Sequence, residues 1–394
     1  MKTTKKKQFK NIEEVFLQIN HDYVKINKRE SKRNNLVLRT VLDEILKIMR
    51  ECDPLFDSMK PRLDYLGSYY DGLRVGHPTE FDINVILKLP INYSNIKLDC
   101  TKTEYDYTNV ILPSEFRRLC KSTTTSKKGF TKTELWCDSS HRLSVMKFRS
   151  WMQSVVDSAF SKLPISNGRH VLKVKNIIYE LTAKMSGPAN TITIYKNTNI
   201  IDVDLVPTFA FDLPSGKKSK TKIKCLNSAV NFHREEFEYN SRYFIVPKPT
   251  RDEYLWRLTF PFQERACMKK QNNFKSALKL IKLLRDTQRF HKLASYYIKS
   301  LFLWEARSQN DEFWMKSLSD LVIYMLKKLR DHLASKEIKN YWCSENNLLE
   351  KLKHETCINW SNKLSHIIND IDQKKYHNPS IIFKYFTDKP FNVN

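Results

Sequence analysis

The chain has 394 residues, with 68 Lys and Arg against 43 Asp and Glu, a formal net charge of +25, and only 7 glycines, where average usage of about 7% would give roughly 28. Hydrophobic content of 41% supports packed cores and excludes wholesale disorder, while neither GxGxxG nor GxxxxGK[ST] occurs, which excludes dinucleotide sites and phosphate loops built on glycine. The charge favours a polyanionic partner, through release of counterions from phosphates.

No apolar run reaches the roughly 18 residues that a membrane helix needs. The Lys-rich start lacks the apolar core of a secretory signal. The 8 cysteines form no CxxC and no Cys/His set at zinc spacing. These features lead to the expectation of a cytoplasmic protein with reduced thiols, a nuclear location remaining open.

In chain order, residues 1–34 read as a basic amino-terminal segment, with Lys5, Lys6 and Lys7 adjacent and Lys28, Arg29, Lys32 and Arg33 close together. From Asn35, apolar residues at Leu38, Leu42, Ile45 and Met49 repeat at helical spacing and predict a helix of roughly 18 residues ending near Pro54. Arg39 and Lys47 fall on its polar face. Between residues 63 and 260 short β-rich runs appear at 81–89, 109–112, 171–181, 190–195 and 200–211, with Ser186-Gly187-Pro188-Ala189 as a turn. From residue 262 helical periodicity takes over, at 274–287, 290–306 and 313–333. The expectation is an α+β lobe over residues 35–261 with a mixed sheet and a long spine helix, then an all-helical lobe over 262–394. Two basic runs, 117–132 and 217–224, fall in loops.

Three of the seven glycines lie within Gly67-Ser68-Tyr69-Tyr70-Asp71-Gly72-Leu73-Arg74-Val75-Gly76. Glu80-Phe81-Asp82 follows and opens an apolar strand. The i, i+2 spacing points both carboxylates to one face and Phe81 to the core. Adjacent carboxylates repel unless a cation lies between them, and an all-oxygen set suits Mg²⁺ or Mn²⁺. A Gly-Ser turn beside them lets a triphosphate approach the backbone closely. A third carboxylate, Asp202 or Asp204, comes from the strand Ile200-Ile201-Asp202-Val203-Asp204-Leu205. Such a set can clamp an in-line phosphoryl transfer with two metal ions.

Gly67-Ser68-Tyr69-Tyr70 with Pro78-Thr79-Glu80-Phe81-Asp82, then Leu255-Trp256-Arg257-Leu258-Thr259-Phe260, then Leu278-Lys279-Leu280-Ile281-Lys282 and Ser295-Tyr296-Tyr297 resemble cyclic GMP-AMP synthase and the animal receptors similar to it. The resemblance spans residues 36–370 and implies a two-lobed nucleotidyltransferase. It implies Glu80, Asp82 and Asp204 as catalytic metal ligands, Asp204 being preferred because it holds the Asp of the family's Val-Asp-hydrophobic motif. Ser68 would hold triphosphate, Lys282 and Ser295 would contact donor phosphates, Tyr296 would stack on a base, and Arg257 and Thr259 would read base edges.

The vertebrate enzyme carries a zinc-binding insertion after its WRL[ST]F strand, whereas residues 266–274 here are short, with one Cys and no His. No zinc is therefore expected, and the layout resembles the zinc-less insect receptors that respond to double-stranded RNA. The implied function is a duplex-RNA-activated synthesis of cyclic GMP-AMP from ATP and GTP in innate antiviral signalling, with a dimer or higher assembly on RNA open. The candidate RNA face comprises Lys28, Arg29, Lys32, Arg33, Arg39 and Lys47 with Lys217, Lys218, Lys220 and Lys222. A catalytically silent scaffold of the same fold and a nucleotidyltransferase making linear oligonucleotides stand as the alternatives.

Overall fold

The computed structural model describes residues 8–100, 103, 105–119, 133, 135–212, 240–269 and 273–388. The chain divides into two compact units. One takes in Met1–Asn27, Gly72–His77 and Glu264–Asn394, and the other Lys28–Asp71 and Pro78–Gln263.

The basic amino-terminal segment is split between them. Helix α1 (Ile12–Ile19) buries Val15, Phe16 and Ile19 and continues into one π-helical turn, Asn20–Val24. It belongs to the helical unit. The long helix α2 (Lys28–Cys52) starts seven residues before the expected Asn35, so Lys28 through Asn34 are helical rather than a tail. Its buried stripe is Val37, Leu38, Val41, Leu42, Ile45 and Met49. Basic residues at its start mask the helical signal in composition but cost little helix propensity.

The second unit is built on an eleven-stranded sheet. After α3 (Pro54–Ser58) come β1 (Arg62–Leu66), the single helical turn α4 (Gly67–Tyr70), β2 (Glu80–Leu87), β3 (Lys97–Asp99) and β4 (Tyr107–Ile111). Short α5 (Ser114–Arg118) and α6 (Val145–Phe160) precede the antiparallel series β5 (Ile165–Ser166), β6 (Arg169–Val174), β7 (Ile177–Ser186), β8 (Ala189–Lys196) and β9 (Asn199–Asp212), completed by β10 (Arg242–Val246) and β11 (Leu255–Thr259). The described strands pair antiparallel except for β2 with β9, which run parallel. The continuous run 171–181 is two strands, because Lys175 adopts a left-handed conformation (φ 55°) and reverses the chain. With neither glycine nor proline between residues 171 and 181, the turn at Lys175-Asn176 is concealed among strand-forming residues. Trp136, Phe148, Trp151, Phe209 and Trp256 form the aromatic core, with successive ring centroids 5.0 to 5.5 Å apart, and α6 packs on α2.

The helical unit centres on α8 (Phe274–Thr287), which follows α7 (Pro261–Cys267) and buries Ala277, Leu278, Leu280, Ile281 and Leu284. The expected run 290–306 starts later, as α9 (Ser295–Ser308), since residues 290–294 form a turn that packs Phe290 and Leu293 inside. The run 313–333 is two helices, α10 (Asp311–Trp314) and α11 (Leu318–Ala334), separated where Ser317 caps the second. The periodicity did not announce α12 (His354–Lys374) or α13 (Ile381–Phe386). Helix α1 packs on α11 and α13. The carboxylate of Glu13 accepts the amides of Leu318 (3.1 Å) and Ser319 (2.6 Å) at the start of α11, where an acid also complements the helix dipole.

Lys217, Lys218, Lys220 and Lys222, together with the rest of the run 217–224, lie outside the described residues. So does most of the run 117–132.

Candidate active site

The parallel pairing of β2 with β9 sets Glu80 beside Asp202 and Asp82 beside Asp204. Paired positions in register share a face, so four carboxylates project from one side of the sheet while Phe81, Ile83, Val203 and Leu205 fill the other. Strand β8 adds hydroxyls to the same face: Thr191 donates to Asp204 Oδ1 at 2.5 Å and Thr193 to Asp202 Oδ1 at 2.7 Å. Both readings of the third carboxylate therefore sit on the correct face, and Asp204 is the one beside Asp82. Among the described residues no three acidic, His or Cys side chains converge tightly enough to form a ready-made metal cluster. The donor set is nonetheless all oxygen and rich in negative charge, which fits a hard divalent cation. Such a cation would relieve the like-charge repulsion of the tetrad.

The turn that precedes β2 is tied to the same carboxylates. Gly67 begins α4 with φ +77°, and a methyl group there would overlap the Asp82 carboxylate. Glycine is required both for the left-handed backbone and for the close approach. Ser68, half-buried, occupies the second position of this turn. The next residues are gripped by α2: the Tyr69 hydroxyl meets Ser31 and Asn35, and the Tyr70 hydroxyl donates to Asn35 Oδ1 at 2.9 Å.

The sequence pattern gave no sign of Asn34, which is fully buried on α2. Its Nδ2 donates to the Pro78 carbonyl at 2.9 Å, just before β2, and its Oδ1 accepts from Asn199 Nδ2 at 2.9 Å, at the start of β9. The Asp202 amide donates to the Thr79 carbonyl at 2.7 Å. One buried carboxamide thus joins the entry points of both acidic strands.

Arg257 and Thr259 lie on β11 in the sheet unit. Arg257 pairs with Asp106 through Nε at 3.1 Å. Asp106 is itself buried and left-handed (φ 57°), and its carbonyl accepts the Leu258 amide. This pairing anchors the strand edge and orients the guanidinium.

Lys282, Ser295 and Tyr296 belong to the helical unit. The Lys282 side chain is buried, and its ammonium donates to the Leu73 carbonyl at 2.7 Å. Burial, reinforced by Arg285, Arg74 and Lys299 and opposed by Asp286, pulls its pKa down to about 8. The Ser295 hydroxyl at the start of α9 is met by the Arg285 guanidinium. Tyr296 is half-buried, and its hydroxyl donates to Glu264 Oε1 at 3.3 Å. Buried Glu264 also accepts from Trp342 Nε1 (2.9 Å) and pairs with Lys299 (2.6 Å). One cation and two aromatic donors thus converge on the Glu264 carboxylate.

Lys28, Arg29, Lys32, Arg33, Arg39 and Lys47 are exposed on α2. Their spacing places them on the face opposite the buried stripe. The Arg39 guanidinium lies over the Tyr65 ring at 5.0 Å, and Lys47 pairs with Glu44 at 3.5 Å.

Residues 69–270 match the Mab-21 protein nucleotidyltransferase domain and residues 273–366 the Mab-21 protein HhH/H2TH-like domain. A cyclic GMP-AMP synthase-like receptor of Aethina tumida is 30% identical over 387 residues, covering 96% of this chain and 92% of the relative. A receptor of the same name from Tribolium castaneum is 30% identical over 388 residues, with 96% and 92% covered. One from Ctenocephalides felis is 28% identical over 381 residues, with 93% and 85% covered. No described helix is long and apolar enough to cross a membrane. With an acidic sheet face beside a Gly-Ser turn and matches that run through both units, this chain belongs to the cyclic GMP-AMP synthase-like receptors of the Mab-21 nucleotidyltransferase family and is a nucleotidyltransferase.

Proposed function

We propose that the protein joins and cyclises ATP and GTP into cyclic GMP-AMP when double-stranded RNA binds it, and that it does so in the cytoplasm as part of innate antiviral signalling. The observation that carries the catalytic part is the β2–β9 register, which puts Asp82 beside Asp204 and Glu80 beside Asp202, next to the Gly67 turn. In this reading Glu80, Asp82 and Asp204 hold Mg²⁺ or Mn²⁺. Bound there, the two ions supply charge neutralisation for the transferred phosphoryl and the leaving oxygen.

The roles of the chain's own residues follow. Ser68 holds the triphosphate on the glycine turn. Thr191 fixes one Asp204 oxygen and so presents the other. Lys282 and Ser295 take donor phosphates, Tyr296 stacks on a base, and Arg257 with Thr259 reads base edges. Lys282 keeps donors beyond the one on the Leu73 carbonyl, and a phosphate on them would favour the positive charge that burial disfavours.

The exposed basic face of α2 supports a duplex partner read through its backbone. That face carries Lys28, Arg29, Lys32, Arg33, Arg39 and Lys47, and Lys217, Lys218, Lys220 and Lys222 are proposed to add to it. The test is a ligand panel of duplex RNA, single-stranded RNA and duplex DNA with ATP, GTP and Mn²⁺, scored by mass and nuclease sensitivity of the product. Cyclic GMP-AMP formed with duplex RNA alone is the expected result. Linear oligomers, no product, or equal product without a duplex would overturn it.

A further inference from the structure

A cavity of about 1260 Å³ opens at the other end of the acidic strands, entirely within the sheet unit. It is lined by Ile86 and Leu87 of β2, by Lys88 just after that strand, and by Ala210, Phe211 and Asp212 of β9. Six residues separate Glu80 from Ile86, a distance of roughly 20 Å along the strand. The cavity is therefore distant from the four carboxylates.

Its chemistry is that of an anion site with an aromatic floor. Lys60, Arg62, Lys88, Lys97 and Arg242 line it against two carboxylates, Asp99 and Asp212. Asp212 pairs with Arg242 at 3.5 Å. Lys60 adopts a left-handed conformation (φ 48°) that a lysine rarely takes. Two backbone bonds of 2.9 Å hold that corner, from the Lys60 amide to the Asp57 carbonyl and from the Lys88 amide to the Met59 carbonyl. They bring the ends of α3 and β2 together, so Lys60 and Lys88 enter the cavity from one corner. The floor is a π surface: the Phe211 and Tyr243 rings stack at 5.8 Å and 23°, and Tyr93 lies 5.3 Å from Phe211.

We propose that this cavity is a second, metal-independent binding site for a nucleoside phosphate, with the base on the half-buried rings of Phe211 and Tyr93, backed by buried Tyr243, and the phosphates on Lys60, Arg62, Lys88 and Lys97. The volume exceeds the roughly 300–1,000 Å³ of typical ligand pockets, so a nucleotide fits. A nucleic acid duplex is the poorer occupant: its base faces are stacked inside the helix and cannot reach the floor. Those four cations bind the phosphates without the divalent ion that the four carboxylates call for.

The test is binding of N-methylanthraniloyl-ATP to the full chain in EDTA at 150 mM salt, where metal-dependent triphosphate binding is suppressed. Saturable binding is expected, retained in Asp82→Asn and weakened at least tenfold in the surface double variant Lys88→Glu, Lys97→Glu. Unlabelled ATP should displace the probe about tenfold better than inorganic tripolyphosphate, because stacking adds to charge. No saturable binding in EDTA, loss in Asp82→Asn, or indifference to the double variant overturns the proposal. So does equal displacement by tripolyphosphate, or a double variant that loses duplex RNA and keeps the nucleotide.

Discussion

The acidic face of the sheet unit and the basic interior of the helical unit store charge in opposite ways. On β2 and β9 four carboxylates stand side by side on a partly exposed face, with threonine hydroxyls taking one acceptor each from Asp202 and Asp204. Around α8 the Lys282 ammonium is withdrawn from water, and its pKa falls to about 8. The first arrangement accumulates like charge and waits for cations. The second makes one charge costly until an anion arrives. Each region is less stable than it would be with neutral residues, and each becomes more favourable once its ligand binds.

That contrast is broken most sharply at Asp82. Asp82→Asn should lower nucleotidyl transfer by at least about 100-fold, roughly 3 kcal/mol of transition-state stabilisation. Its thermal unfolding should stay unchanged or rise slightly, because one member of a repelling tetrad is neutralised. Measured turnover with Mn²⁺ beside a melting curve decides this, and a fall in both would mean that Asp82 is structural.

Gly67→Ala should damage the same face sterically. The left-handed backbone costs about 1–2 kcal/mol for an alanine, and the methyl displaces the Asp82 carboxylate. Activity should drop at least about tenfold together with the urea midpoint. Asn34→Ala should cost about 2 kcal/mol, since it leaves the Pro78 carbonyl and Asn199 with lost partners in a buried setting. Hydrogen exchange at the Asp202 amide, which donates to Thr79, should accelerate with it.

The helical unit should respond with the opposite sign. Lys282→Met removes a charge that burial penalises, and should stabilise the unliganded protein by about 1–2 kcal/mol at pH 7 while weakening triphosphate binding. The folded pKa lies below the unfolded value of 10.5. Between about pH 8 and 10.5 the unfolded chain therefore holds more protons, and wild-type stability gains from this group as pH rises. The advantage of the methionine variant should shrink over that window, as read by denaturant midpoints at several pH values. The smallest effect distinguishes the two candidates for the third ligand. Thr191→Val should change nucleotide-dependent Mn²⁺ affinity a few-fold, and Thr193→Val should leave it unmoved if Asp204 is the ligand.

The legibility of these regions followed the range of the interactions. The i, i+2 carboxylates and the Gly-Ser turn are local patterns and could be read in residues 67–82, as could α8 from its apolar spacing. The β2–β9 register could not, because each residue of β2 meets a partner 122 positions further along the chain, Glu80 beside Asp202 and Asp82 beside Asp204. Asn34 was hidden for the same reason: its partners, Pro78 and Asn199, come from two distant segments. The start of α2 at Lys28 and the docking of α1 were obscured by lysines and asparagines that composition reads as a tail. The run 171–181 was misread as one strand because Lys175 turns the chain without glycine or proline. Residues 72–77 belong to the helical unit, where Lys282, 209 positions along the chain, donates to the Leu73 carbonyl.

The parallel pairing of β2 and β9 also makes the acidic face hard to lose by drift. Side chains alternate with a period of two, so sliding either strand by one residue would carry its carboxylates into the core and expose Phe81 and Ile83, or Val203 and Leu205, to water. Burying unpaired carboxylates costs several kcal/mol each, and exposing those apolar groups adds roughly 1.5–3 kcal/mol per side chain. The apolar half of each strand therefore acts as a lock on the polar half: folding into the right core and presenting the acids are one event, and selection for stability alone preserves the alignment of the chemistry.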